Sequence, residues 1–238
     1  MNKKILLFIP TLNESGNLIK MLNSLEYLYS KLDILIIDDN STDKTVEDFN
    51  SYKGKLNKKI IIRKDKTGVG SAHVEGIKYA KDKNYDYIIT MDCDFTHDPK
   101  HLDKDFITNS EYYDFIVGSR YLKSGSLKNW SFRRRFLTYI SHAITYIFLG
   151  IKFDTTAGYR MYNLRIIEDD FFNFIKSEDY SFFIESGYYL TRKKTNFLQI
   201  PVDMPKRSVG QSKLKFKHVI NALIIVFRIW FLKFFVVK

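Results

Sequence analysis

Apolar and polar positions along the chain follow two different periods. Five short runs, Ile5 to Ile9, Ile34 to Ile37, Ile60 to Ile62, Tyr87 to Met91 and Phe115 to Val117, are apolar at nearly every position, the pattern of parallel strands covered on both faces. Between the first two, ESGNLIKMLNSLEYLYSKL sets Leu18, Met21, Leu22, Leu25, Leu28 and Leu32 at helical spacing, which makes one apolar stripe. The strand, helix, strand order predicts an α/β domain on a mostly parallel sheet flanked by helices. No repeat, low-complexity stretch or Gly/Ser linker interrupts it, so residues 1–213 are expected to form one domain.

In such sheets ligands sit at the carboxyl ends of the strands. Those ends read PTLNE, DDNSTD, DCD and GSRY, and three of the four carry acids. Successive strand residues face opposite ways, so Asp92 and Asp94 are expected to share one side with Cys93 on the other. Two carboxylates held together repel unless a cation lies between them, and magnesium or manganese takes oxygen ligands while keeping several waters. The competing reading is that the acids only cap a turn. Asp98-Pro99 has the form of a helix N-cap followed by proline at the first helical position, and Ser41 or Thr42 that of an N-cap for the second helix.

Composition removes several classes. A net charge of +11 over 238 residues points to an anionic partner, whether nucleic acid, anionic lipid or a phosphorylated substrate. The lone Cys93 excludes an internal disulfide framework. MNKKILLFIPTLNE reads as a first strand, since Pro10 and Glu14 stand where a signal peptide would be cleaved. The stretch GVGSAHVEG fails as a dinucleotide fingerprint because His73 occupies the third glycine position, and no P-loop occurs.

Taken in order, PTLNE, IIDDNSTDKT, GVGSA, MDCDFTHDP, GSRY, DTTAGYRMY and RSVGQSK resemble the inverting family 2 glycosyltransferases of the GT-A fold, the nucleotide-diphospho-sugar transferase fold, and most closely the dolichol-phosphate and polyprenol-phosphate mannosyltransferases. The resemblance runs from Ile9 to about Lys213. It implies transfer of a hexose, mannose from GDP-mannose first of all, from a nucleotide-diphosphate sugar to a polyprenyl phosphate. It further implies that Pro10, Leu12 and Glu14 line a nucleoside pocket, with Asp39 toward the base or ribose and Asp38 orienting the strand end. Asp92 and Asp94 would hold the metal, Cys93 and Thr96 would border the donor, and Arg207 and Lys213 would close over its diphosphate. Arg120, Arg134 and Thr138 match positions associated with the acceptor phosphate, and Glu185 falls where the family carries an acid near the sugar. Asp94, Arg120 and Arg207 are the candidate catalytic residues. Thr96 stands where many members carry glutamine or serine, which argues against a third metal contact there.

A phosphate acceptor is already an anionic nucleophile and needs no general base. The alternatives are a UDP-sugar donor, or a hydroxyl acceptor for which Glu185 would act as base. A nucleic-acid-binding role is disfavoured, since acids at the strand ends repel phosphates.

Two stretches concern membranes. The apolar stretch 136–151 is too short for the roughly 20 residues a span requires, and it suits an interfacial helix, about 133–151, that begins at the arginine triplet. The tail, 214–238, is expected as an amphipathic or anchoring helix. Arg228 near its middle costs about 3 kcal/mol on insertion scales, and Lys217, Asn221 and Arg228 share one face, which favours lying in the interface. The expected location is the cytoplasmic face of a membrane, peripheral or C-terminally anchored.

Overall fold

The computed structural model describes residues 3–29, 32–127, 130–203 and 216–235. All five expected strands form: β1 (Ile5–Thr11), β2 (Asp33–Asp38), β3 (Lys58–Ile62), β4 (Tyr87–Thr90) and β5 (Phe115–Ser119). Two more, β6 (Arg160–Asn163) and β7 (Phe197–Pro201), complete a seven-stranded sheet of order β3-β2-β1-β4-β6-β5-β7. Every pairing is parallel except those of β6, which runs antiparallel to β4 and β5. The helices are α1 (Asn17–Tyr29), α2 (Thr45–Ser51), α3 (Val69–Asp82), α4 (Phe132–Leu149), α5 (Asp169–Phe174), α6 (Phe182–Arg192) and α7 (Phe216–Phe235).

Alternate strand residues feed two apolar clusters, one on each face. Leu7, Ile9, Ile34, Ile36 and Ile89 pack with the α1 residues Leu18, Met21, Leu22 and Leu25, while Leu6, Phe8, Leu35, Ile37 and Ile88 pack with α3 and α6. The expected α1 stripe stops short of its last members: Leu28 is exposed, and Leu32 lies beyond the helix, buried at the entry to β2. As the sheet's edge, β3 is only half covered, with Ile62 exposed.

Two capping expectations are corrected. The first turn of α2 is held by Asp43, whose Oδ1 accepts from the Thr45 amide at 3.0 Å, while Ser41 and Thr42 bond elsewhere. Asp98 caps a tight turn, accepting from the Lys100 amide at 3.0 Å, and the segment that follows, Leu102–Ile107, is a π-helical stretch.

Helix α4 begins one residue before the arginine triplet, capped by the Ser131 hydroxyl, and ends at Gly150, whose φ of 72° is the left-handed stop that glycine permits. Against α4 and α6 lies α7, with Val226 and Ile229 buried in the shared core and Phe148 contacting Phe227 and Trp230. Its polar residues are oriented differently from the expectation. Asn221 donates to Asp179 at 2.9 Å and Arg228 to Glu185 at 2.5 Å, so these two meet the protein and not lipid headgroups. The side left exposed carries Ile220, Leu223, Phe227 and Phe231. No helix among the described residues is long and apolar enough to cross a membrane.

Candidate active site

A cleft of about 890 Å³ opens along the carboxyl ends of β1, β2 and β4 and runs to the first half of α7. Pro10, Leu12, Glu14, Asp39, Asp92, Cys93 and Asp94, seven of the residues singled out from sequence, line it.

At one end β2 delivers two acids with separate tasks. Asp38 is fully buried and accepts from the Thr11 hydroxyl at 2.8 Å and from the Ser41 amide and hydroxyl, which fixes the strand end as expected. Asp39 reaches the cleft, yet its carboxylate is already engaged. Oδ1 accepts from the Thr67 amide and pairs with Arg63 at 2.8 Å, and Oδ2 accepts from the Gly68 amide at 3.0 Å. Arg63 also donates to the Gly68 carbonyl and the Ser71 hydroxyl. These bonds hold the Gly68-Val69-Gly70 turn in a fixed position.

The turn is glycine-rich for a contact reason. The Gly70 amide donates to the Glu178 carbonyl at 2.7 Å, and a Cβ on Gly70 would fall 2.5 Å from the Asp179 carbonyl oxygen. The backbone of residues 177–179 thus lies directly on the start of α3. His73, the residue that broke the dinucleotide pattern, is buried among Phe8, Phe182 and Phe183, and burial lowers its pKa to about 3. It is a neutral core histidine.

Beyond β4, Asp92 is part-exposed and Asp94 nearly buried. The Asp92 amide donates to His97 Nδ1 at 2.9 Å, and His97 stacks on Tyr159. Thr96 does not border the cleft. Its amide and hydroxyl both donate to Asp94 Oδ1, at 3.1 and 2.6 Å, so it orients that carboxylate. Cys93 packs into the apolar cluster beneath. The donor set suits a hard divalent ion: two carboxylates face the cleft, and no cluster of three ligating side chains occurs among the described residues. The remaining positions would fall to diphosphate oxygens and water, as magnesium prefers.

The wall formed by residues 176–181 was not foreseen. Asp179 accepts from Asn221, the Ser181 amide and His218. These bonds outweigh burial, which acts in the opposite sense, and hold its pKa at about 2. Glu185 lies outside the cleft lining and is wholly buried. Its Oε2 accepts from the Lys176 and Ser177 amides at 3.0 and 2.8 Å, and its Oε1 from Arg228. The hydrogen-bonded structural acid is what the geometry displays at this position.

Arg120, Arg134 and Thr138 gather in a second cluster, apart from the cleft lining. Buried Arg120 donates from Nε to Asp154 Oδ2 at 2.9 Å. Its guanidinium lies 5.7 Å, and that of Arg134 3.5 Å, from the Trp130 ring centre. One indole therefore brings two cations from separate elements together. Tyr121 donates to the Thr138 carbonyl at 3.1 Å, tying β5's exit to α4. The segment before β6 is pinned by Arg160, fully buried, which donates to the Ala157 and Thr155 carbonyls and the Ser186 hydroxyl. Trp130, Asp154, Arg160 and Asp179 escaped the sequence reading. For Asp154 and Arg160 the signal was the DTTAGYRMY motif, which frames both. Arg207 and Lys213 lie outside the described residues.

Comparison with known proteins agrees with this geometry. The profile of Glycosyl transferase family 2 matches residues 7–206. Polyprenol monophosphomannose synthase of Mycolicibacterium smegmatis is 27% identical over 93% of this chain and 84% of its own. Undecaprenyl-phosphate mannosyltransferase of Micrococcus luteus is 27% identical over 94% and 93%. Dolichol-phosphate mannosyltransferase of Pyrococcus furiosus is 28% identical over 95% of this chain, which spans 63% of that relative. Among solved structures, glucosyl-3-phosphoglycerate synthase from Mycobacterium tuberculosis, in complex with Mn2+, UDP and glucosyl-3-phosphoglycerate, aligns with a TM-score of 0.64 at 14% identity, over 98% of this chain and 80% of that one. With a cleft at the strand ends, a shared GT-A fold and a family profile across most of its length, this protein belongs to glycosyl transferase family 2 and is a glycosyltransferase.

Proposed function

We propose that the protein transfers a hexose, mannose from GDP-mannose in the first instance, to a polyprenyl phosphate with inversion at the anomeric carbon. The observation that carries this reading is the approach of Arg120, held by Asp154, and of Arg134 to one indole, Trp130, in a cluster separate from the acid-lined cleft. The names of the three mannosyltransferase relatives support the same acceptor class.

In this reading Pro10, Leu12, Glu14 and Asp39 hold the nucleoside, with Asp39 acting through the turn it fixes. A divalent ion bound by Asp92 and Asp94 would neutralise the leaving diphosphate. Arg207 and Lys213 would close over that diphosphate. Arg120, Arg134 and Thr138 hold the acceptor phosphate, whose oxygen attacks the anomeric carbon as the nucleoside diphosphate departs from the other face. No general base is needed. The rival hydroxyl acceptor would need one, and Glu185 is occupied by three donors, which argues against it.

The exposed apolar sides of α4 and α7, with Arg133 and Arg135 nearby, favour peripheral attachment to an anionic membrane face, where the acceptor lipid resides. The test is a panel of GDP- and UDP-sugars with a short polyprenyl phosphate, with and without EDTA. The expected result is metal-dependent mannosyl transfer from GDP-mannose. Transfer only to a hydroxyl acceptor would overturn the reading.

A further inference from the structure

We infer that His142 is a further ligand of the acceptor phosphate, hydrogen-bonding it through Nδ1. The inference rests on the acceptor reading of Arg120, Arg134 and Thr138 and extends it. Arg134, Thr138 and His142 are spaced four residues apart on α4, so they form one row with steps of about 6 Å along the axis. A phosphate seated opposite Thr138 and against Arg120 is then flanked by Arg134 on one side and His142 on the other, each within reach of its side chain.

Three contacts preset the imidazole for that position. Asp154 fixes Arg120. The next residue, Tyr121, is fixed by its bond to the Thr138 carbonyl. The Tyr121 ring in turn stacks on His142, with centres 4.3 Å apart and planes at 21°. Yet His142 Nδ1 is buried with no hydrogen-bond partner among the described residues. A buried polar atom left unpaired costs about 1 to 3 kcal/mol, so its retention near Arg120 fits a partner that arrives with substrate. Burial, and secondarily Arg120, holds the imidazole's pKa below its ordinary value against the opposing pull of Asp154. It is therefore available as a neutral ligand near pH 7 and adds no third positive charge.

The test compares His142→Phe, which keeps the stack on Tyr121 and deletes Nδ1, with His142→Asn, whose amide nitrogen overlays Nδ1. Initial rates are measured against a short, water-soluble isoprenyl phosphate and against the nucleotide sugar. Loss of a hydrogen bond to a charged group predicts an acceptor KM raised about tenfold or more in His142→Phe. The donor KM should stay within about twofold, and His142→Asn should recover most of the loss. An unchanged acceptor KM in His142→Phe overturns the inference, and so does equal loss in both variants, which would mean that only ring packing matters. Arg134→Ala, run alongside, separates the two readings: if it leaves acceptor KM unchanged while His142→Phe raises it, the arginine assignment fails and His142 stands. Should His142→Phe not fold, 15N-histidine spectra of the unaltered protein titrated with the same isoprenyl phosphate decide. The resonance absent in His142→Asn must shift at saturation, and a stationary one overturns the inference.

Discussion

The guanidinium of Arg228, in the second half of α7, lies 2.5 Å from the carboxylate of Glu185, which has no exposed surface. The same carboxylate holds the amides of Lys176 and Ser177, so the C-terminal helix and one wall of the cleft share an anchor. Removing one partner of a buried pair costs about 3 to 5 kcal/mol, and the partial exposure of Arg228 reduces this to about 2. Arg228→Ala is expected to lower Tm by roughly 4 to 8 °C in a chain of this size. The double variant Glu185→Gln with Arg228→Met, which removes both charges but keeps a side-chain oxygen for the Lys176 and Ser177 amides, should be closer to wild type than Arg228→Ala. Equal or greater loss in the double variant would show that the pair is not coupled.

Gly70 tests how tightly residues 177–179 are seated. A methyl group there would meet the Asp179 and Ser177 carbonyl oxygens at 2.5 and 2.7 Å, both of them backbone. Gly70→Ala should displace that wall and weaken nucleotide-sugar binding at least tenfold by titration calorimetry. At Gly125, φ is +80° but nothing lies within 4 Å, so Gly125→Ala should cost only about 1 to 2 kcal/mol of backbone strain with donor affinity intact.

Acid should loosen α7 through Asp179. Its folded pKa of about 2 lies below the unfolded value, so its contribution is fully present above about pH 4 and is lost as pH falls toward 2. Allowing for partial exposure, the contribution is on the order of 1 kcal/mol. Urea midpoints of wild type and Asp179→Asn should therefore differ at pH 6, and the gap should narrow below about pH 4 and close only near pH 2. A constant gap across that range contradicts the assignment.

Chelation and Asp94→Ala should have the same effect. Thr96 fixes one oxygen of Asp94, so the carboxylate is preset for a cation, and Asp92 alone would hold a hard ion only weakly. Asp94→Ala is expected to abolish turnover with an unchanged circular dichroism spectrum. Full activity after exhaustive EDTA treatment would exclude the metal.

Phe132 and Ile147 stand out from α4 at 72% and 70% exposure. Replacing both with serine removes apolar area worth about 1.5 to 3 kcal/mol each when fully buried. Sedimentation with anionic vesicles should fall markedly while Tm changes little. Unaltered sedimentation would move the contact to α7.

The five leading strands and the acid-bearing strand ends were legible because apolar runs and punctuation are local signals. What was missed is mostly non-local. β6 has only four residues, Arg160 to Asn163, flanked by no periodic segment, and it is a strand only because β4 and β5 lie on either side of it. Arg160 in its first position resembles a surface residue in sequence, although its buried guanidinium is surrounded by carbonyl and hydroxyl acceptors. On α7 the polar row was visible at Lys217, Asn221 and Arg228, but periodicity does not say what the row faces. Two acids from elsewhere in the chain, Asp179 and Glu185, decide that.

The reversed direction of β6 also divides the molecule for engineering. Because this strand enters where its neighbours exit, residues 154–158 arrive beside the ends of β4 and β5, and Gly158 borders the cleft. Its own exit at Asn163 emerges at the opposite rim, joined to Asp114, which in turn meets Asn196. Lengthening the chain before β6 would push directly on the cleft. A reporter peptide or fused domain inserted after Lys194, on the far rim, should leave the reacting edge undisturbed.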